Sequence, residues 1–175
     1  MPGKPTFTGT AIAGAALAGA ALATGARALV PRLVLAKLGR DLDRLNAGDY
    51  TSLLGAYADD AVLRFHNGEH RWAGDWRGKA GIDRFFQNFT AAGLQGEIKQ
   101  LEVTGPPWAM TVWVRFDDHA EGPNGTWLYR NRTVLVARAR WGKLVEENIF
   151  FADTERIGAL DRKLTELGVA PVPKT

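Results

Sequence analysis

The chain has 175 residues, enough for one domain with a substantial core and some length to spare. Its 46% hydrophobic and 23% charged residues are ordinary globular usage, and a net charge of +3, scattered along the chain, is too mild for a nucleic-acid surface. The absence of cysteine excludes disulfides and thiolate chemistry, and His66, His70 and His119 show no metal-ligand spacing, so neither a metal nor a cofactor is expected.

Residues 5–26 carry no charged side chain and are rich in Ala, Gly and Leu. Such a run is long enough for a bilayer, which takes roughly 20 helical residues. Its only strongly apolar residues between Thr8 and Ala26, however, are Ile12, Leu17 and Leu22. Three readings stand side by side: a single-pass anchor, a cleaved signal peptide and an Ala-rich extension. If the segment inserts, Arg27, Arg32, Lys37 and Arg40 outnumber Lys4 across the span, which keeps the folded domain cytoplasmic and tethered to the inner membrane face. Residues 1–30 are therefore set apart from a domain over 31–168 and a tail over 169–175.

Pro31 suits the first turn of a helix, and Leu35, Leu38, Leu42 and Leu45 follow as an amphipathic stripe ended by Gly48. Asp49 caps a second helix carrying Leu53, Leu54 and Tyr57, which Asp59-Asp60 stops. A short strand, Ala61 to Phe65, precedes an Asn67-Gly68 turn and the run Trp72 to Gly78. A third helix buries Ile82, Phe85, Phe86 and Phe89 and ends at Gly93 and Gly96. Strands follow over Ile98–Val103 and Trp108–Phe116, then a polar loop over Asp117–Thr126.

Alternation on both sides of Trp141-Gly142 predicts a long hairpin from Tyr129 to Phe151. A two-residue loop sets Arg140 against Lys143 and, continued without interruption, Val136 against Glu147. One face then reads Val134, Val136, Val145, Ile149 and Phe151 with Glu147 among them. Asp153 caps a last helix with Ile157, Leu160, Leu164 and Leu167. Helices first and then a mostly antiparallel sheet is an α+β pattern.

The order of these pieces resembles the cone-shaped fold of the nuclear transport factor 2-like superfamily over about residues 33–153. The residues that carry it are Leu45-Asn46-Ala47-Gly48-Asp49, Tyr57-Ala58-Asp59-Asp60-Ala61, Ala73-Gly74-Asp75-Trp76-Arg77-Gly78 with Ile82 and Phe85-Phe86, and Trp141-Gly142-Lys143-Leu144. Within the superfamily the SnoaL-like branch is the most similar. The resemblance implies a strongly bent, mostly antiparallel sheet with helices on its concave side and, as in many relatives, a homodimer through the convex sheet face.

The first two runs are also similar to ketosteroid isomerase. Carried over, that enzyme's oxyanion-hole tyrosine falls on Asp41, its general base on Phe65, a supporting tyrosine on Phe86, and its protonated aspartate within a residue or so of Val136. Phe65 and Val136 can neither take a proton nor donate a hydrogen bond, so steroid isomerisation is not expected. The same comparison turns Val136, and with it Glu147, toward the pocket. Strand parity then turns Met110, Val112, Val114 and Phe116 inward, and Trp113 and Arg115 outward.

A carboxylate on an apolar strand face is raised in pKa and suited to proton transfer, which makes Glu147 the first catalytic candidate, with Asp41 and His66 assisting. Arg138, diagonally across the hairpin, either shares the pocket with Glu147 or holds it in a passive ion pair. Tyr57, Phe65, Trp72, Trp76, Phe86, Phe89, Met110, Val112 and Val136 complete the expected wall. The chemistry implied is cofactor-free acid/base work on, or sequestration of, a hydrophobic, polycyclic or lipid-like ligand. The alternative is a non-catalytic interaction module of the same fold, tethered at a membrane and binding a partner through the sheet.

Overall fold

The first helix, α1 (Ala11–Asn46), continues through Pro31 instead of starting there. Pro31 has no backbone N–H, so α1 runs through it with one intrahelical hydrogen bond fewer. The inward stripe is Val34, Leu38, Asp41, Leu42 and Leu45, while Leu35, expected inside, is 45% exposed. The computed structural model describes residues 11–122 and 124–174. Residues 5–10 of the uncharged segment lie outside that range. Among the described residues no helix is long and apolar enough to cross a membrane.

Asn46 fixes the end of α1 to the sheet, donating to the Gly96 carbonyl and accepting from the Gly96 N–H, both at 3.0 Å. Asp49 Oδ1 accepts from the N–H and the hydroxyl of Thr51, at 3.0 and 2.6 Å, at the start of α2 (Thr51–Ala56). That helix stops one residue before Tyr57, which opens β1 (Tyr57–Phe65). Asp59 and Asp60, expected to end a helix, are thus strand residues.

After β2 (Gly74–Arg77), α3 (Gly78–Ala91) buries Ile82, Phe85 and Phe86. Burying each of these side chains stabilises the fold by roughly 1.5–3 kcal/mol relative to leaving it in water. β3 (Gln95–Thr104), β4 (Met110–Glu121), β5 (Trp127–Arg140) and β6 (Lys143–Phe151) complete a six-stranded sheet in the order β2-β1-β6-β5-β4-β3. Every neighbouring pair is antiparallel except β1 and β6. β4 outruns its expected end at Phe116 by five residues, so Asp117 and Asp118 belong to a strand and not to a loop. Gly96, expected to end a helix, lies within β3.

The last helix, α4 (Thr154–Glu166), is capped by Asp153, whose Oδ1 accepts from the N–H groups of Glu155 and Arg156. It closes one end of the cone with Ile157, Leu160 and Leu164. The tail is packed and not free: Val172 exchanges two hydrogen bonds with the buried Asn88 of α3. The architecture is an α+β cone, an open bent sheet with helices along its concave side.

The β5–β6 hairpin turns on Trp141 and Gly142, with φ of 52° and 79°. Two successive left-handed residues define the turn type whose twist matches that of paired strands. The tryptophan is held there by its N–H bond to the Pro107 carbonyl at 2.9 Å and by ring contact with Trp108.

Arg140 faces Lys143 as expected, but the register then slips: Ala139 faces Leu144, whereas Arg138 faces Glu146. Val145 is the extra residue of a β-bulge, so Glu147 stands opposite Ala137, not Val136. Because side chains alternate with period two, the slip exchanges the two faces of β5 relative to β6. Thr133, Leu135, Ala137 and Ala139 point inward, while Val134 and Val136 point outward beside Trp113.

Candidate functional site

Between the concave sheet face and helices α1 to α3 lies a cavity of about 270 Å³. Its mouth lies where α1 passes the hairpin tip: the Lys37 side chain there is 54% exposed and Gly142 is exposed. Its far end is closed by buried residues, among them Trp72, Tyr129, Thr133 and Ile157. The wall is apolar for most of its length, with Phe65, Phe86 and Phe89 on one side and Met110, Val112 and Val114 on the other.

Glu147 projects into the middle of this cavity and is 5% exposed. β6 places it there because the bulge at Val145 turns Glu146 outward and Glu147 inward. Its hydrogen-bond partner is the Tyr57 hydroxyl, which donates to Oε2 at 2.5 Å. Burial pushes the Glu147 carboxyl up to about 7, against a smaller downward pull from the Tyr57 bond. Burial also raises Tyr57 well above the usual phenol range, reinforced by the Glu147 charge and bond.

Arg138 does not reach Glu147. It stands exposed on the outer face, 3.4 Å from Glu146, which also pairs with Arg64. The expected passive ion pair therefore forms one residue away, and Arg138 is not part of the cavity wall. Val136 leaves the wall for the same reason, the register slip, and Ala137 occupies its expected place.

Asp41 lines the mouth, bonded by Lys37 and by Ser52 Oγ at 2.7 Å. Burial raises its pKa, but the bonds from Lys37 and Ser52 and the charges of Lys37 and Arg44 outweigh it, leaving the carboxyl below its ordinary value. It is thus an ionised, occupied group. Trp72 lines the cavity, whereas Trp76 plugs the core behind it, donating Nε1–H to the Trp72 carbonyl at 2.9 Å.

His66 lies outside the cavity, its Nε2 3.3 Å from Nε2 of His70, between Phe65 and Phe151. Burial lowers both imidazoles, and the His66 charge adds to the fall of His70 to about 4. Among the described residues no group of three or more His, Cys, Asp and Glu has the geometry to hold a metal ion.

Three polar residues of the closed end escaped the sequence reading: Asp118, Tyr129 and Thr133. Asp118 accepts from the Thr133 hydroxyl, and burial lifts its carboxyl to about 6, with the bond opposing and the charge of Asp117 adding. A signal was present, since Asp118 continues the inward parity of Val112, Val114 and Phe116. It was hidden because Asp117-Asp118 resembles the start of a loop.

Solved structures share the cone. TerC co-crystallized with polyporic acid is 18% identical and superimposes with a TM-score of 0.61, covering 73% of this chain and 97% of its own. An NTF2-like protein from Anabaena variabilis is 22% identical, with a TM-score of 0.53 over 71% of this chain and 90% of its own. SalBIII, an epoxide hydrolase/cyclase-like enzyme in pyran ring formation in polyether salinomycin, is 18% identical, with a TM-score of 0.55 over 67% of this chain and 89% of its own. At these identities the likeness is one of fold, that of the NTF2-like cone. The family model for the SnoaL-like domain matches residues 40–147, and the chain belongs to that family. No curated protein matches it in sequence.

Proposed function

We propose that the protein takes an apolar, polycyclic or polyketide-like carbonyl compound into the cone and moves a proton on it, with Glu147 as the acid/base group. The observation that carries this reading is the Glu147–Tyr57 pair, a carboxyl buried in an apolar cavity with no cation beside it among the described residues and raised to about 7. A group with that pKa is divided between its two forms near neutrality, where it can both take and return a proton. Two neighbours of the same fold support the ligand class: TerC was crystallized with polyporic acid, and SalBIII is cyclase-like.

The chemistry needs only this chain's residues. The Glu147 carboxylate removes a proton from a carbon next to the ligand carbonyl, and the C–H electron pair moves to the carbonyl oxygen as an enolate. Tyr57 holds the carboxylate oxygen it bonds, leaving the other to face the carbon. Where a C=C adjoins that carbon, the enolate extends over it, and return of the proton at the far alkene carbon gives isomerisation. Attack of the enolate carbon on a second carbonyl gives ring closure, and the resulting alkoxide takes the proton back from Glu147.

Hydrogen–deuterium exchange into β-tetralone, a bicyclic ketone with an acidic C–H, tests the reading. The wild type is expected to accelerate exchange and Glu147→Gln to lose the acceleration while keeping its fold. A wild type no faster than Glu147→Gln would overturn it.

One observation favours the second reading, a module that works through its outer sheet face. Trp113, Val134 and Phe150 stand exposed there, 47%, 38% and 56% respectively. The occupant assigned to this face is a second copy of the chain, and sedimentation of the wild type against Trp113→Asp decides whether that copy binds.

A further inference from the structure

The closed end of the cavity holds polar groups that proton transfer at Glu147 does not use. Tyr129 is 4% exposed and lines the cavity, and among the described residues its hydroxyl has no hydrogen-bond partner in ordinary geometry, the Asn131 side chain being its polar neighbour. Trp72 is fully buried, lines the same end, and its Nε1–H is equally without an acceptor. Buried donors left without acceptors are costly, and native folds keep few of them. Asp118 stands beside Tyr129: it pairs with Asn131 and Tyr129 with Ala120, so the two side chains are diagonal neighbours on the inner face. The carboxylate already accepts from Thr133. Gly96 leaves it room, since a Cβ there would come within 3.3 Å of Asp118 Oδ1.

We infer that this end is a second polar subsite, which binds a hydroxyl group on the buried end of the ligand through Tyr129 and Asp118. The inference rests on the reading of the cavity as a ligand site and adds the chemistry of the ligand's far end. Tyr129 offers a donor and Asp118 an acceptor, so the group between them must accept one hydrogen bond and donate another. A hydroxyl does both. A carboxylate is repelled by Asp118, an ammonium cannot accept from Tyr129, and an ether or ketone brings no donor to Asp118 Oδ1, the oxygen that Thr133 does not bond.

The spacing sets the ligand's shape. Glu147 lies opposite Ala137 and Asp118 opposite Asn131, six residues apart along β5. That is at most roughly 20 Å of strand, less where β5 curves. The ligand is therefore elongated and apolar through its middle, with its reactive group at Glu147 and an alcohol or phenol at the closed end.

Displacement of anilinonaphthalene sulfonate by dodecanol, methyl undecyl ether and dodecanoate tests this. The alcohol and the ether have the same size and differ in the donor. Dodecanol is expected to bind about tenfold or more tightly than either of the others, and Tyr129→Phe to erase that preference. Tyr129→Phe should change Tm little, because the hydroxyl it removes makes no hydrogen bond of ordinary geometry among the described residues. Asp118→Asn provides a second test, expected to narrow the gap between alcohol and carboxylate. Equal binding of alcohol and ether to the wild type, or a preference that survives Tyr129→Phe, overturns the subsite but leaves the cavity as a binding site. If none of the three displaces the dye, the cavity reading fails and the subsite with it.

Discussion

The Tyr57 hydroxyl donates to Glu147 Oε2 at 2.5 Å across β1 and β6, in a place that no cation among the described residues reaches. A neutral donor beside a buried carboxyl has a different consequence from an ion pair. It orients the group without fixing its charge, and the carboxyl remains free to titrate near neutrality.

That titration costs stability. Below pH 4.5 the Glu147 carboxyl is protonated in both folded and unfolded chains. Between 4.5 and about 7 the unfolded chain releases a proton that the folded chain keeps, so stability falls as pH rises, and above about 7 the loss is complete. Integrated over that window it amounts to ~3 kcal/mol. His70, lowered to about 4, works in the opposite direction, adding stability as pH rises between 4 and 6.5. Urea unfolding of Glu147→Gln beside the wild type removes the His70 contribution by subtraction. The variant should equal the wild type near pH 4.5 and exceed it by up to ~3 kcal/mol at pH 8.

Tyr57→Phe removes the one bond that pulls the Glu147 pKa down. The carboxyl should titrate higher still in this variant, and the acidic limb of any pH–rate profile, where the carboxylate forms, should move to higher pH with it. A profile unchanged by Tyr57→Phe would separate the phenol from the reacting group.

Arg138→Ala should change stability by less than ~0.5 kcal/mol, because its pair with Glu146 is largely exposed. The Glu147 titration should not move. The uninterrupted hairpin gives the opposite expectation, a large downward shift held by Arg138, and carboxyl titration of this variant tells the two registers apart.

That contrast marks where the sequence stops being legible. Period-two alternation around Trp141-Gly142 identifies both strands and the turn, and Glu147 stands out as the one acid among their apolar residues. The bulge at Val145 leaves no local mark. Val134 and Val136 suit an inner face as well as Leu135 and Ala137 do, and only packing against Trp113 on one side and the cavity on the other decides between them. β4 is similar: the strand runs past Phe116 because Asp118 has Thr133 to bond, a contact 15 residues away in the chain. Pro31 suggests a helix start because backbone chemistry favours that position, but α1 passes through it.

The cavity itself yields a fourth test. Ala139 lines it near the mouth and is 3% exposed. Ala139→Leu should fill part of it at little cost in Tm, since the added methyl groups enter open space and not a packed core. Dye and ligand binding should weaken several-fold. A loss of Tm with binding intact would mean that the space around Ala139 is not where the ligand sits.

The most direct measurement is a pH titration of the glutamate side-chain carboxyl carbons by NMR, in the wild type and in Glu147→Gln. One resonance should titrate at about 7 and disappear in the variant. If every glutamate titrates near 4.5 in the wild type, Glu147 is not a buried proton carrier, and the proposed chemistry is contradicted.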